Sequence, residues 1–191
     1  MSVQGSTYST PEIRWGEIAP CEHLLQIYES DDAFVKTLGE FVAAGLSIGE
    51  STVVIATEAH REALERQLIA RGFDVQDTLD NGDLIVLNAA ETLDSFIEAG
   101  WPDDDKFHTM IGEILDRARS RSENVRAFGE MVAILWGRGH IAATVRLENM
   151  WEKLCRERSF SLFCAYPKSC FNDNALKSLD DIHSLHSATV G

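Results

Sequence analysis

Glu130 is the residue whose type and position most suit binding or catalysis, since it follows an apolar run over residues 125–128 and then Gly129. The pattern is typical of a strand before Gly129 and of a helix after Glu130, and open α/β sheets bind ligands at such strand ends. The carboxylate could act as a general base, orient a ligand, or interact with the dipole of the following helix. The sequence leaves open whether Glu130 is a pocket residue or a helix-start acid.

Other predicted strand ends also carry side chains that suit a ligand site. The first strand ends at Tyr28 and Glu29, the second lies just before Glu58, and the last ends at Tyr166. Tyrosine offers an apolar ring face and one polar tip. Trp136 either covers such a pocket or belongs to the core. The predicted ligand-binding residues are therefore Tyr28, Glu29, Glu58, Glu130, Trp136 and Tyr166.

An acid–base enzyme is one hypothesis for this edge, since a hydrolase or transferase could pair Glu130 with Glu29 or Glu58. Such pairs need pKa values shifted by burial or by mutual proximity, which a sequence does not show. No Ser/His/Asp or Cys/His arrangement can be defended from the spacing. We therefore predict that the chain is not an enzyme and has no catalytic residues.

No nucleotide cofactor is predicted, because the phosphate-loop pattern GxxxxGK[ST] does not occur. Where a nucleotide-binding relative would place that loop, residues 29–32 read Glu-Ser-Asp-Asp. Three carboxylates in four residues would repel a triphosphate rather than cradle it.

No metal site is predicted either, because the four cysteines lack the close-set pairs of a zinc site. Cys164 is expected to be a small buried apolar residue. His183 and His186, near the C-terminus, are expected at the surface. The acidic run 103–105 is expected to cap a helix rather than to bind calcium.

The composition is that of one globular domain of 191 residues with a formal net charge of −14. That charge would repel a phosphate backbone, so nucleic-acid binding is excluded from the expected functions. No apolar stretch approaches the roughly 20 residues that span a bilayer, and the N-terminus does not resemble a secretory signal. A cytoplasmic protein with no membrane contact is expected.

Hydrophobic periodicity predicts five strands that alternate with helices, at residues 23–28, 52–56, 83–87, 125–128 and 160–166. Such alternation requires crossover connections, and therefore a three-layer α/β sandwich with a mainly parallel sheet of five or slightly more strands. A short helix is expected around residues 91–98. Residues 1–20 are expected to form an irregular arm, 21–170 the domain, and 171–191 a C-terminal helix packed on or extending it.

Several segments together resemble the sensory domain of methanogens, methylotrophs and the dichloromethane regulator, abbreviated MEDS. They are HLLQIYES (23–30), FVAAGLSIGE (41–50), DLIVLNA (83–89), GWPD (100–103), FGEM (128–131) with Trp136, and FCAYP (163–167). Each is mostly a strand core, but their order and combination are specific, and they cover roughly residues 21–170.

This resemblance implies a degenerate RecA/KaiC-like domain that has lost the phosphate loop. It also implies a role in bacterial or archaeal signalling, often in fusion with a histidine kinase or a DNA-binding segment. The proposed signals are small, hydrocarbon-derived molecules. The chain shows no such output region, so a stand-alone copy is expected to act on a separate partner or to be something other than a sensor.

Two main hypotheses follow for function. In the first, the chain is a non-enzymatic sensory module that binds a small molecule or a signalling partner at the carboxyl edge of the sheet. In the second, it is an adaptor with no small ligand, which homodimerises or docks on a histidine kinase or an anti-sigma-type regulator. A closed apolar pocket that reaches Glu130 would favour the first, and an exposed apolar patch the second.

Overall fold

A computed structural model describes residues 15–171 and 176–190 of the chain. The strands are β1 (His23–Tyr28), β2 (Ser51–Ala56), β3 (Leu84–Asn88), β4 (Ile97–Glu98), β5 (Trp101–Pro102), β6 (Val125–Gly129), β7 (Ser161–Pro167) and β8 (Ala188–Val190). The helices are α1 (Asp31–Ser47), α2 (Glu58–Ala70), α3 (Val75–Asn81), α4 (Ala89–Asp94), α5 (Asp104–Arg119), α6 (Met131–Gly137), α7 (Ile141–Arg158) and α8 (Leu176–Leu185).

Six of these strands form one sheet in the order β3-β2-β6-β7-β1-β8, and every pair in it is parallel. The central strands are buried on both faces, which explains their nearly continuous apolar character. The predicted three-layer α/β sandwich with a mainly parallel sheet is therefore confirmed.

The two faces of the sheet carry separate apolar cores. One core packs the sheet against α1, α2 and α3, and the other packs it against α4 to α8. Because side chains alternate along a strand, each strand serves both faces. On β1, Leu24 and Tyr28 belong to the first core and Leu25 to the second.

The predicted helix at 91–98 is wrong at its C-terminal end, because α4 stops at Asp94 and β4 then pairs antiparallel with β5. The two residues between these strands, Ala99 and Gly100, have φ angles of 49° and 84°. Positive φ at both central positions is the geometry of a tight hairpin turn, so the chain reverses there instead of continuing as a helix.

Both flanking segments contribute more structure than expected. In the predicted irregular arm, residues 1–14 lie outside the described residues, but Trp15–Glu17 form a 3-10 turn. The ring of Trp15 packs edge-on against Phe41 at 5.7 Å. At the other end, α8 is followed by β8, which adds a sixth strand beside β1.

A buried arginine fastens the first core at the amino ends of the strands. Arg126 of β6 is 1% exposed and forms an ion pair with Glu50. It also donates hydrogen bonds to the carbonyl oxygens of Trp15 (2.9 Å) and Phe41 (3.0 Å). Helix α1 approaches this side chain so closely that a Cβ on Gly45 would lie 2.6 Å from Arg126 Cδ.

Within the described residues, no helix is both long enough and apolar enough to cross a membrane.

Candidate functional site

Glu130 connects the carboxyl end of β6 to the start of α2. It is 6% exposed, and its Oε2 accepts a hydrogen bond of 2.8 Å from the Thr57 backbone N–H. Its Oε1 accepts from the Thr57 hydroxyl (3.3 Å) and contacts His60 Nδ1 at 2.8 Å. Although Glu130 occupies the N-cap position of α6, its side chain makes no capping bond there. The carboxylate therefore satisfies donors at the start of the neighbouring helix rather than of its own.

His60 lies between the buried Glu130 and the surface of the protein. Its side chain is 12% exposed and lines an open groove of about 650 Å³ between α1 and α2. Burial alone would lower the pKa of His60, but the hydrogen bond and the charge of Glu130 outweigh it, and Asp31 adds to them, so the pKa is raised. Nε2 lies 3.9 Å from Asp31 Oδ1. Because Nδ1 is engaged by Glu130, Nε2 is the ring atom that faces other groups.

Tyr28 lies in the same region. Its ring stacks on Phe34 with 4.7 Å between centroids, and Phe34 in turn meets the His60 ring edge-on at 4.8 Å. Burial raises the pKa of Tyr28 well above its ordinary value, and the charges of Glu130 and Asp31 raise it further. Two predicted residues, Tyr28 and Glu130, therefore share one electrostatic environment.

Glu29 and Glu58 are exposed and are not hydrogen-bonded to Glu130. Glu29 pairs with Lys168 at 2.5 Å, and this bond and charge lower the pKa of Glu29. Glu58 is the first residue of α2 and lines a different groove, beside the edge strand β3. The structure therefore assembles neither of the carboxylate pairs that an acid–base mechanism would use.

Trp136 and Tyr166 lie across the sheet, in the core formed with α4 to α8. Trp136 is 3% exposed, and its Nε1 donates a hydrogen bond of 2.7 Å to the carbonyl oxygen of Cys170. Its ring meets that of Tyr166 edge-on at 5.9 Å. Tyr166 is fully buried and donates to Glu148 Oε1 at 2.5 Å. Tyr28 and Glu130 thus lie on one face of the sheet and Trp136 and Tyr166 on the other. The exposed Glu29 and Glu58 join neither pair.

A cluster that the sequence did not reveal lies beside Tyr166. It consists of His23, Glu148, Cys164 and His186, whose nearest ligand-type atoms all lie within 4.8 Å of one another, and we call it the His23 cluster. His23 Nε2 lies 3.4 Å from Cys164 Sγ and 3.5 Å from Glu148 Oε2. His186 Nε2 lies 3.7 Å from the same carboxylate oxygen.

The surface position predicted for His186 is therefore wrong, since its side chain is only 1% exposed, whereas His183 is exposed as expected. His186 directly follows α8, and its ring lies 3.9 Å from the ring of His23, tilted by 39° relative to it. Burial favours the neutral imidazole and so lowers the pKa of His186, although the nearby charge of Glu148 acts in the opposite direction.

One sequence signal could have indicated this cluster. Glu148 lies on the apolar face of α7, between Leu147 and Trp151, where an unpaired carboxylate would be costly. The spacing rules for metal sites could not reveal it, because the four residues are dispersed between positions 23 and 186 and meet only through the sheet topology.

The fold of the chain is similar to that of solved structures, among them a KaiC-like protein. One match is the KaiC-like protein PH0186 from Pyrococcus horikoshii OT3, with a TM-score of 0.58 and 12% identity over 89% of this chain and 71% of that one. Another is the flagellar accessory protein FlaH from Methanocaldococcus jannaschii, with a TM-score of 0.58 and 9% identity over 90% and 71%. At these identities the likeness shows the fold alone.

The family itself is shown by sequence. The profile of MEDS, the methanogen/methylotroph, DcmR sensory domain, matches residues 22–186, so this chain belongs to the MEDS family. A search of curated proteins gives no match. The expected membership in the MEDS family is therefore confirmed, and the likeness to a KaiC-like structure agrees with the expected fold.

Proposed function

We propose that this chain is a sensory module of a signalling system, which binds a small polar molecule in the groove between α1 and α2 without transforming it. Membership in a family of sensory domains supports the signalling role. The observation that carries the binding site is the contact of buried Glu130 with His60, which lines that groove.

His60 is the group that would contact the ligand. Glu130 holds Nδ1 and so fixes the orientation of the ring, while Nε2 is directed toward Asp31 and the groove. Arg66 and Arg71 also line the groove. The groove therefore offers two arginines that are always charged and one histidine whose charge depends on pH. A small molecule with a hydroxyl, amine or carboxylate group suits this lining.

A ligand at this position would act by favouring one of two conformations, which requires unequal affinity for them. Glu130 joins the end of β6 to the first turn of α2 through Thr57 and His60. Ligand contacts that alter the His60 bond would therefore change how α2 is held against the sheet. A partner such as a histidine kinase would read that change.

The absence of catalysis is part of the proposal, and the β1–α1 connection supports it. Only Glu29 and Ser30 separate the strand from the helix, which is too short for a loop that wraps phosphates. Ser30 accepts a hydrogen bond of 3.3 Å from the Ala33 N–H, and Asp31 and Asp32 fill the first turn. The positive end of α1 is thus already occupied by the chain's own acceptors and acids.

The test is a thermal-shift and calorimetric screen of the wild-type chain against one- and two-carbon alcohols, amines and carboxylates. At least one compound should raise the melting temperature, and His60→Gln should abolish that shift. The matched control is His108→Gln, an exposed histidine paired with Glu157 on the other face. If no compound binds, or if His60→Gln binds as wild type does, the site is not this groove.

A second candidate, an adaptor with no small ligand, is favoured by the surface beside β3. This edge strand borders a groove of about 410 Å³ whose apolar lining includes Leu64, Leu68, Leu79 and Leu84. Light scattering of the purified chain tests this role: a homodimer that Leu79→Asp disrupts would favour it. A monomer that binds a small ligand would refute it.

A further inference from the structure

We propose that the His23 cluster is a metal site, in which His23, Glu148, Cys164 and His186 bind one divalent transition-metal ion of the zinc type. The site lies on the opposite face of the sheet from the α1–α2 groove and is independent of the function proposed for that groove. It rests on the donor set, its spacing and its supporting hydrogen bonds.

Three of the donor-atom separations are close to those of tetrahedral coordination. Zinc bonds of about 2.0–2.3 Å to nitrogen, oxygen and sulfur place neighbouring ligand atoms about 3.3–3.6 Å apart. The observed separations of His23 Nε2 from Cys164 Sγ (3.4 Å) and from Glu148 Oε2 (3.5 Å) fall in this range. The separation of His186 Nε2 from Glu148 Oε2 is 3.7 Å. All four donor atoms lie within 4.8 Å of one another, so the wider separations would close when one ion is bound.

Each imidazole and the carboxylate are held by a partner at the atom that would not bind the ion. His23 Nδ1 contacts Glu152 Oε2 at 3.1 Å, and His186 Nδ1 contacts the carbonyl oxygen of Ile182 at 2.7 Å. Glu148 Oε1 accepts from Tyr166 at 2.5 Å. Metal-binding histidines typically donate their second N–H to a carboxylate or a backbone carbonyl, which fixes the ring and its tautomer.

The atoms directed at the centre include two that lack other partners. Glu148 Oε2 and His186 Nε2 are buried and accept or donate no hydrogen bond. Buried polar atoms are rarely left unsatisfied, and such a pair calls for a bound species. A metal ion satisfies both at once, as well as His23 Nε2 and Cys164 Sγ.

Charge leads to the same conclusion. Glu148 is fully buried, and its ion-pair contacts within the described part of the chain are both to histidines, not to lysine or arginine. A divalent ion, the Glu148 carboxylate and a Cys164 thiolate sum to zero net charge. The thiol proton passes to solvent when the ion binds. The ion thus offsets the cost of burying a carboxylate whose ion-pair contacts include neither lysine nor arginine.

The donor types select the class of ion. Calcium and magnesium take six or more oxygen ligands, and this site supplies one carboxylate. Two imidazoles, a thiolate and a carboxylate form a mixed set that suits zinc and its tetrahedral substitutes such as cobalt(II).

The ion would connect four elements, and one of them is C-terminal. His23 begins β1, Glu148 lies on α7, Cys164 on β7, and His186 directly follows α8. Ser187 accepts from the His23 N–H (3.0 Å) and donates its own N–H to the His23 carbonyl (2.7 Å) just before β8 joins the sheet. The ion would therefore fasten β8 and α8 to the domain.

The experiment uses the full chain, stripped of metal with a chelator, confirmed as folded by circular dichroism, and titrated with zinc chloride and separately with cobalt chloride. We expect about one zinc ion per chain by elemental analysis. The cobalt form should show a tetrahedral visible spectrum with a thiolate charge-transfer band. Cys164→Ser should remove that band, and His186→Asn should lower zinc affinity by at least about 100-fold, since even outer-shell changes cost 10–100-fold.

The matched control is His183→Asn, an exposed histidine on the preceding helix, which should bind zinc as wild type does. Glu152→Gln tests the positioning of His23, with an expected 10–100-fold loss of affinity and an unchanged thiolate band. If folded wild-type protein binds no stoichiometric zinc, the proposal is overturned without any variant. It is equally overturned if zinc binding survives both Cys164→Ser and His186→Asn.

Discussion

The contact between Glu130 and His60 makes a quantitative prediction for Glu130→Gln. Glu130 accepts two short bonds, from the Thr57 N–H and from His60 Nδ1, both at 2.8 Å. A hydrogen bond to a charged group contributes about 1.5–3 kcal/mol, whereas a neutral one contributes about 0.5–1.5 kcal/mol. Replacing the carboxylate by an isosteric amide thus costs about 1 kcal/mol per bond. Losing an anion at the start of α2 adds roughly 0.3–1 kcal/mol, for a total of about 2–3 kcal/mol.

The pH dependence of this cost has a definite sign. The pKa of folded His60 is raised above its ordinary value of 6.5, because the Glu130 hydrogen bond and charge, together with the charge of Asp31, outweigh burial. The stabilisation from this pair is therefore fully present below pH 6.5 and is lost as the pH rises through the folded pKa. Glu130→Gln removes the charge that raises it, so the variant should lose more stability near pH 6 than near pH 9.

Urea unfolding of wild type and variant at both pH values measures this difference. Comparing the two proteins at each pH cancels the contributions of other titrating groups. The control is Glu58→Gln, an exposed acid in the first turn of the same helix, which should cost only the helix-dipole contribution of about 0.3–1 kcal/mol. A cost for Glu130→Gln no larger than that of Glu58→Gln, or one that grows with pH, would refute the reasoning.

Two further predictions concern stability alone and are checked by the same unfolding assay. Gly45→Ala should cost about 1–3 kcal/mol by overpacking, because its Cβ would meet Arg126, which its own hydrogen bonds hold in place. A Cβ on Gly137 would have no neighbouring atom within 4 Å, so Gly137→Ala should be neutral or stabilise by up to about 1 kcal/mol. Equal costs for Gly45→Ala and Gly137→Ala would contradict the overpacking explanation. Ser159→Gly should stabilise by about 0.5–1 kcal/mol, because exposed Ser159 has a φ of 49° at the end of α7; a loss would show that its side chain matters there.

Much of the fold could be predicted because its signals are local. The apolar runs of β2 and β7 and the helical spacing of α1 or α5 are visible within a few turns of chain. The missed elements depend on features that are not local. Strand β8 has three residues and exists because β1 offers an open edge, and the β4–β5 ribbon depends on positive φ at Ala99 and Gly100.

The candidate site was predicted less well, for a physical reason. The rule that strand ends gather at one edge is correct, but it does not say to which face each side chain turns. The side chain of Glu130 turns toward α2 and that of Tyr166 toward α7. The two residues, predicted to line one pocket, therefore lie in separate environments. His60 was missed because it lies on the first turn of α2, beyond the strand end.

Tyr166 shows how the two environments differ in kind. Its hydroxyl donates a hydrogen bond to Glu148, and its ring packs against Trp136. This strand end is therefore part of the closed interior. Glu130, by contrast, passes its contact to His60, which lines an open groove. An open groove suits a ligand that must enter and leave within the time of a signal. A closed cluster of nitrogen, sulfur and oxygen donors suits an ion that stays. We therefore expect a ligand that exchanges on the face of the sheet with the α1–α2 groove, and a permanently bound ion on the face with the His23 cluster.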